Sequence, residues 1–234
     1  MHNKIETLKD EYRKRFFKIE KYRNDVWKIL CEEYFNNIIL PGAHVLDLGS
    51  GWGEFINNVK AGKKYAMDLN PDAGRKLLGK TRFLHQDCSE EWQIPSDSLD
   101  IVFTSNFLEH LPDKTHVEEA LSEAYRCLKA EGLIICLGPN IKYVLGKYWD
   151  FWDHFIPITE LSLSEILKLK GFSIHLSIPR FLPYSMSTGR TPPSFFVKLY
   201  LKLPILWPLF GKQFLVIGKK NRVSKKVFKK AKIV

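Results

Sequence analysis

The chain has 234 residues, 45% hydrophobic and 26% charged, an ordinary globular composition with enough apolar matter for one core of domain size. Its formal charge is +10, but residues 219–234 (KKNRVSKKVFKKAKIV) hold eight Lys/Arg and no acid, so the remainder carries only +2. No 18-residue apolar run marks a membrane span and the first residues lack a signal-peptide pattern. Cys31, Cys88, Cys127 and Cys136 form no Cys-x-x-Cys pair, which argues against zinc and for reduced thiols in a cytoplasmic protein.

In chain order, apolar residues at helical spacing predict a helix over 4–37, ended by Pro41-Gly42. Short apolar runs then alternate with helical patterns. Strands are predicted at 44–48, 63–68, 81–85, 99–104 and 133–138, with helices at 53–60, 71–79 and about 113–129. This alternation points to a parallel sheet with helices on both faces. A helix over 162–171 follows, opened by Ser caps and closed by Gly171, then strands at 172–179 and 212–219.

The strongest motif is VLDLGSGWGEF at 45–55. A strand ends at Leu48, and Gly49, Gly51 and Gly53 make a turn into a helix. Missing Cβ atoms let a ligand approach the backbone, and the free N–H groups of a helix start favour electron-rich groups. A dinucleotide fingerprint would need glycine where Glu54 stands, and a Walker loop would need Gly-Lys-Ser/Thr, which is absent. Asp68 ends the second strand, 21 residues after Asp47, where a carboxylate can accept from two ribose hydroxyls. Asp87 follows the third strand.

With these residues in this order, the chain resembles the class I S-adenosylmethionine-dependent methyltransferases over about residues 42–140. The resemblance implies a Rossmann-like fold: a seven-stranded, mostly parallel sheet with helices on both faces and the last strand antiparallel. It sets a helical extension at 1–41, the S-adenosylmethionine-binding domain at 42–220 with an insertion at 180–211, and a disordered basic tail at 221–234. It implies that Asp47, Gly49, Ser50, Gly51, Trp52 and Gly53 hold the methionine part of the cofactor, with Ser105, Asn106 and Phe107 beside it. Asp68 and Leu69 take the ribose and adenine, and Asp87 and the Cys88 N–H meet the adenine edge. Tyr22 and Arg23 of the first helix are candidates for the cofactor carboxylate.

Candidate catalytic residues are His110, in SNFLEHL, and Asp153 and His154, in the aromatic stretch 140–159. Adjacent residues on a helix point about 100° apart, so Asp153 and His154 do not form one dyad. Residues 140–159 and the later GKQFLVIGKK resemble methyltransferases of bacterial surface-glycan gene clusters. That favours a small-molecule or glycolipid acceptor with a hydroxyl nucleophile. A nucleic-acid methyltransferase reached through the basic tail is the alternative, disfavoured because SNFLEH replaces the Asn/Asp-Pro-Pro-aromatic motif that holds a flipped base. A non-catalytic cofactor-binding protein is a third reading. Residues 192–234, apolar and aromatic then basic, fit a peripheral contact with the inner face of the membrane, while 180–211 also fits a lid or a dimer surface. Oligomeric state stays open.

Overall fold

Strand β1 (His44–Leu48) shows how this sequence builds a two-sided sheet. Leu46 and Leu48 point into one apolar cluster, and Val45 points into the other, because successive side chains of a strand face opposite ways. The computed structural model describes residues 17–184 and 191–222. The other strands are β2 (Lys63–Met67), β3 (Arg82–Leu84), β4 (Leu99–Ser105), β5 (Leu128–Pro139), β6 (Phe172–Leu182) and β7 (Gln213–Lys220). They form one sheet in the order β3-β2-β1-β4-β5-β7-β6. The first five pair in parallel, and β7 runs antiparallel to both β5 and β6. This is the Rossmann-like arrangement expected, with the last strand reversed.

The helices are α1 (Glu20–Glu33), α2 (Glu54–Asn58), α3 (Lys114–Cys127), α4 (Ile141–Val144), α5 (Glu160–Leu169), α6 (Phe195–Leu201) and α7 (Trp207–Phe210). α3 buries Val117, Ala120, Leu121 and Ala124, a stripe at i, i+3, i+4, i+7 that covers one sheet face. α5 joins it there through Leu163 and Leu167. The other face is covered by α1 (Val26, Trp27, Leu30), α2 (Phe55, Ile56) and α6 (Leu201).

Several predicted bounds move. Of the helix expected over 4–37, residues 1–16 lie outside the described part, and the rest is α1 with short 3₁₀ turns at Phe17–Ile19 and Phe35–Asn37. The helix expected at 71–79 is a 3₁₀ segment, Pro71–Lys76, since Pro71 starts a helix but Gly74 propagates it poorly. α5 begins earlier than predicted. Thr159 is its N-cap, and Ser162 completes a reciprocal capping box at the third position. β6 runs on through Pro179 to Leu182, which an edge strand tolerates because it has one side free of ladder bonds. The strand therefore takes in the first three residues of the insertion expected at 180–211. Helix α6 of the insertion packs behind the sheet against α1, with Tyr200 and Trp207 joining the same cluster. The basic tail from 223 onward lies outside the described residues.

Candidate active site

One cavity of about 480 Å³ opens at the carboxyl ends of β1, β2 and β4, where open α/β sheets bind ligands. Its floor is the glycine turn. Gly49 and Gly51 have φ of +71° and +53°. A Cβ on Gly49 would stand 2.2 Å from the Phe107 ring, so only glycine lets this turn pass. The N–H groups of Gly49 and Ser50 donate to the Met67 carbonyl at 3.0 and 3.1 Å, tying the turn to β2.

Asp68 follows β2. Its Oδ2 accepts from the Gly51 N–H at 2.8 Å and its Oδ1 from the Asn70 N–H at 2.8 Å. These bonds fix the carboxylate plane and leave each oxygen a further lone pair for a ligand hydroxyl. Burial pushes Asp68 up to about 6, against those two N–H bonds. Asp47 lies deeper. Burial raises its carboxyl well above the usual range, the neighbouring Glu54 charge adds to this, and a backbone hydrogen bond from Ile56 opposes it. Glu54 accepts from Arg23 Nε at 2.7 Å. Asp87 is anchored through Oδ1, which accepts from the Ser89 N–H at 2.9 Å and its hydroxyl at 2.8 Å.

At the other end, after β4, Asn106 adopts φ +48°, a left-handed conformation that Asn tolerates better than most residues. Its Nδ2 donates to Ser105 Oγ at 2.9 Å while its Oδ1 is buried with no hydrogen-bond partner among the described residues. His110 Nδ1 lies 2.9 Å from the Asp153 carbonyl and 3.1 Å from its Oδ2. Burial lowers the His110 pKa, but the Asp153 hydrogen bond and the Glu109 and Asp153 charges outweigh it, leaving a net rise. His154 packs edge-on to His110, ring centroids 4.8 Å apart, and stacks on Phe151 at 5.0 Å. Glu109 is buried, which raises its carboxyl, and its Oε1 has no hydrogen-bond partner among the described residues.

The cavity thus gathers Arg23, Asp47, Gly49, Ser50, Gly51, Asp68, Leu69, Asp87, Cys88, Asn106, His110, Asp153 and His154 from the expected set. Trp52 and Gly53 do not line it. The turn directs Trp52 away, to a contact with the Lys76 ammonium 4.8 Å from its ring. Tyr22 packs in the cluster behind the sheet, one residue from Arg23 and so on another side of α1. The expectation for Asp153 and His154 assumed a helix, whereas the structure sets them in a turn, where Asp153 meets His110. Sequence reasoning missed Glu54, Glu109 and Gln213. Glu54 was visible as the residue opening α2. Glu109 sits in the EH pair already singled out. Gln213 had no local signal, because β7 brings it in from far along the chain; among the described residues its Oε1 also has no hydrogen-bond partner.

Residues 46–136, which carry the glycine turn and all three acids, match the methyltransferase domain family. The structure resembles an S-adenosylmethionine-dependent methyltransferase of Archaeoglobus fulgidus, with TM-score 0.65 and 25% identity over 88% of this chain and 99% of that one. It also resembles one of Methanosarcina mazei, with TM-score 0.59 and 17% identity over 80% and 96%. Residues 46–136 form a class I, S-adenosylmethionine-dependent methyltransferase domain. Among curated proteins, the methyltransferase domain is similar to the ubiquinone/menaquinone biosynthesis C-methyltransferases UbiE of Rickettsia massiliae and Bartonella bacilliformis, each 29% identical over 56% of either chain. The chain spans about half the length of these relatives.

S-adenosylmethionine fits the residues present. The cofactor is cationic at sulfur, and the wall of this methyltransferase cavity carries the carboxyl groups of Asp47, Glu54, Asp68, Asp87, Glu109 and Asp153. The partnerless Asn106 Oδ1 is an acceptor facing the same space.

Proposed function

We propose that the protein transfers a methyl group from S-adenosylmethionine to a hydroxyl of a small-molecule acceptor, a sugar or lipid-linked glycan. One observation carries the reading: a single cavity joins the acidic cofactor wall to a second end lined by Glu109, His110, Asp153 and His154. The cofactor supplies the electrophile, a methyl on a positive sulfur. Asp68 would hold its ribose, Asp87 and Cys88 its adenine, and Asp47 and the glycine turn its methionine part. The protein's share of the work is alignment of acceptor and methyl with water excluded, which can lower a barrier by roughly 7–11 kcal/mol.

The acceptor end supports a molecule with both polar and apolar surface. Phe151, Trp152, Phe155 and Tyr184 line it beside the polar groups, and Trp152 is 88% exposed. Aromatic faces stack on the apolar faces of sugars and on isoprenoid or ring carbons alike. The curated relatives, whose name refers to quinone biosynthesis and to carbon methylation, support a ring-carbon acceptor as the second reading. Incubating the protein with radiolabelled S-adenosylmethionine and separate lipid and aqueous extracts tests both. Label in an alkali-stable ether of a glycan fraction is expected; label only in a quinone-like ring carbon selects the second. No saturable binding of the cofactor to folded protein would overturn either.

Contact with an anionic lipid surface belongs to the same reading. Phe195, Phe196, Leu199, Ile205, Leu209 and Phe210 of the insertion are each about half exposed or more, and none of residues 191–211 lines the cavity. That position supports a surface role over a lid. Interfacial binding needs such an apolar face together with positive charge.

A further inference from the structure

Three cavity residues at the acceptor end have an arrangement that methyl transfer alone does not require. Glu109, His110 and His154 each present one potential ligand atom, and these atoms lie within 4.8 Å of one another. We infer that they form a binding site for one divalent transition-metal cation. Its use, in holding an acceptor oxygen, rests on the proposed methyl transfer; the site itself rests on geometry.

Glu109 supplies the first argument. Its side chain is 2% exposed, it lines the cavity, and its Oε1 has no hydrogen-bond partner among the described residues. Buried carboxylates are normally paired or bound to a metal. Among the described residues, no lysine or arginine lines the cavity at this end, and Arg23, which lines it at the cofactor end, is paired with Glu54.

His110 supplies the second. Both groups facing its Nδ1, the Asp153 carbonyl and carboxylate, are acceptors, so Nδ1 carries the proton and the lone pair sits on Nε2. An imidazole oriented by a carboxylate in this way is the usual support behind a metal-bound histidine. Chain geometry builds the support without a helix. Phe155 and Ile156 donate their N–H groups to the Glu109 carbonyl at 2.9 and 3.2 Å, pinning the 150s loop to the turn after β4. Asp153 and His154 therefore arrive on either side of His110 from a segment more than 40 residues away. The Tyr148 hydroxyl donates to the Ile156 carbonyl and locks the loop further.

The donor set selects the metal class. Two imidazoles and one carboxylate suit zinc, iron, cobalt or nickel, whereas magnesium and calcium prefer oxygen alone. Ligand atoms roughly 2.0–2.2 Å from a zinc ion stand about 3.4 Å apart in a tetrahedron, so these side chains, within 4.8 Å of one another, need to close by at most about 1.4 Å. Three protein ligands leave coordination positions turned to the cavity, where an acceptor hydroxyl or a pair of vicinal oxygens can bind. The four cysteines are buried away from this cluster or outside its ligand set, so they do not compete.

The test is titration of the purified full-length protein with cobalt(II) chloride alone, read by visible absorption and by calorimetry, with zinc chloride as competitor. One cobalt per chain with ligand-field bands is expected, displaced by zinc. Glu109→Gln and His154→Ala should lose that site, and Asp153→Asn should weaken it about 10–100-fold. Thermal melting and S-adenosylmethionine binding of each variant establish that it is folded. Absence of saturable cobalt binding to protein that still binds S-adenosylmethionine would overturn the metal site and leave the methyl-transfer reading standing. Cobalt binding undiminished in both Glu109→Gln and His154→Ala would overturn it as well. Loss of cofactor binding with cobalt binding intact would instead remove the role given to the site.

Discussion

Asp68 has two tasks that pull in opposite directions. Its carboxylate organises the glycine turn through the Gly51 N–H, and it lines the cavity. Burial holds it at about 6, above the ordinary carboxylate range. Ionising it therefore costs folding free energy: its contribution to stability is full below the unfolded-state value of roughly 4 and is lost as pH rises through about 6. A ribose held as proposed would reverse the preference, because its hydroxyls donate to the ionised form. S-adenosylmethionine affinity should rise as pH passes through about 6, with a proton released on binding below that pH. Calorimetry in two buffers of different ionisation heat reads both effects. Asp68→Asn should abolish the pH step and weaken the cofactor by about 10–150-fold, the loss of a charged hydrogen bond worth roughly 1.5–3 kcal/mol. Gly49→Ala is the steric counterpart. A methyl 2.2 Å from the Phe107 ring, on a residue at φ +71°, should cost at least about 1–3 kcal/mol and lower the melting temperature.

At the scale of elements, α6 is separable from the chemistry. Its Leu201 is 7% exposed in the cluster shared with α1, and no residue of α6 reaches the cavity. Leu201→Ala should destabilise the fold by about 2–4 kcal/mol through the lost contact and the cavity left behind, with cofactor affinity unchanged in the folded fraction. Denaturant unfolding and calorimetry on one preparation separate the two. The exposed side of the same segment gives the opposite result. Phe195→Glu with Leu199→Glu removes apolar surface that is 60% and 50% exposed, so stability should stay within about 0.5 kcal/mol. Co-sedimentation with phosphatidylglycerol vesicles should fall, and recovery of the double variant with vesicles at the level of the unaltered protein would remove the lipid contact. α2 illustrates the limits of local pattern. Its eight predicted residues shrink to five because Asn57 and Asn58 spend their side chains on neighbours: Asn57 Nδ2 donates to the Lys76 carbonyl at 3.0 Å and Asn58 Nδ2 to Asn24 at 2.9 Å.

Across the whole molecule, charge is unevenly divided along the sequence. The cavity wall is acidic and suits a cationic cofactor, while most of the +10 charge lies after residue 218. Electrostatic attraction to an anionic surface is screened over about 8 Å at physiological ionic strength, so vesicle binding should weaken steeply with added salt while cofactor binding, in a partly enclosed acidic site, changes little. The strands and their parallel pairing were legible from the alternation of apolar runs and helical patterns, while their order in the sheet came from the structure. Parallel β-α-β units leave few alternatives once the crossovers are right-handed. The three acids were legible because each lies within three residues of the carboxyl end of its own strand, so strand position alone points Asp47, Asp68 and Asp87 to one mouth.

The sequence by itself determined the strands, the glycine turn and the acids at the cavity mouth, since each depends on residues within a few positions of a strand terminus. Only the tertiary structure decided which groups meet at the acceptor end. Asp153 joins His110, His154 joins Glu109, and Gln213 enters from β7. Tyr22 and Trp52 turn away although Arg23 and Gly51 beside them line the cavity. The reason is physical. Spacing along one strand or helix fixes a direction relative to that element, whereas the meeting of three segments depends on loop hydrogen bonds, such as those to the Glu109 carbonyl, that no local pattern encodes.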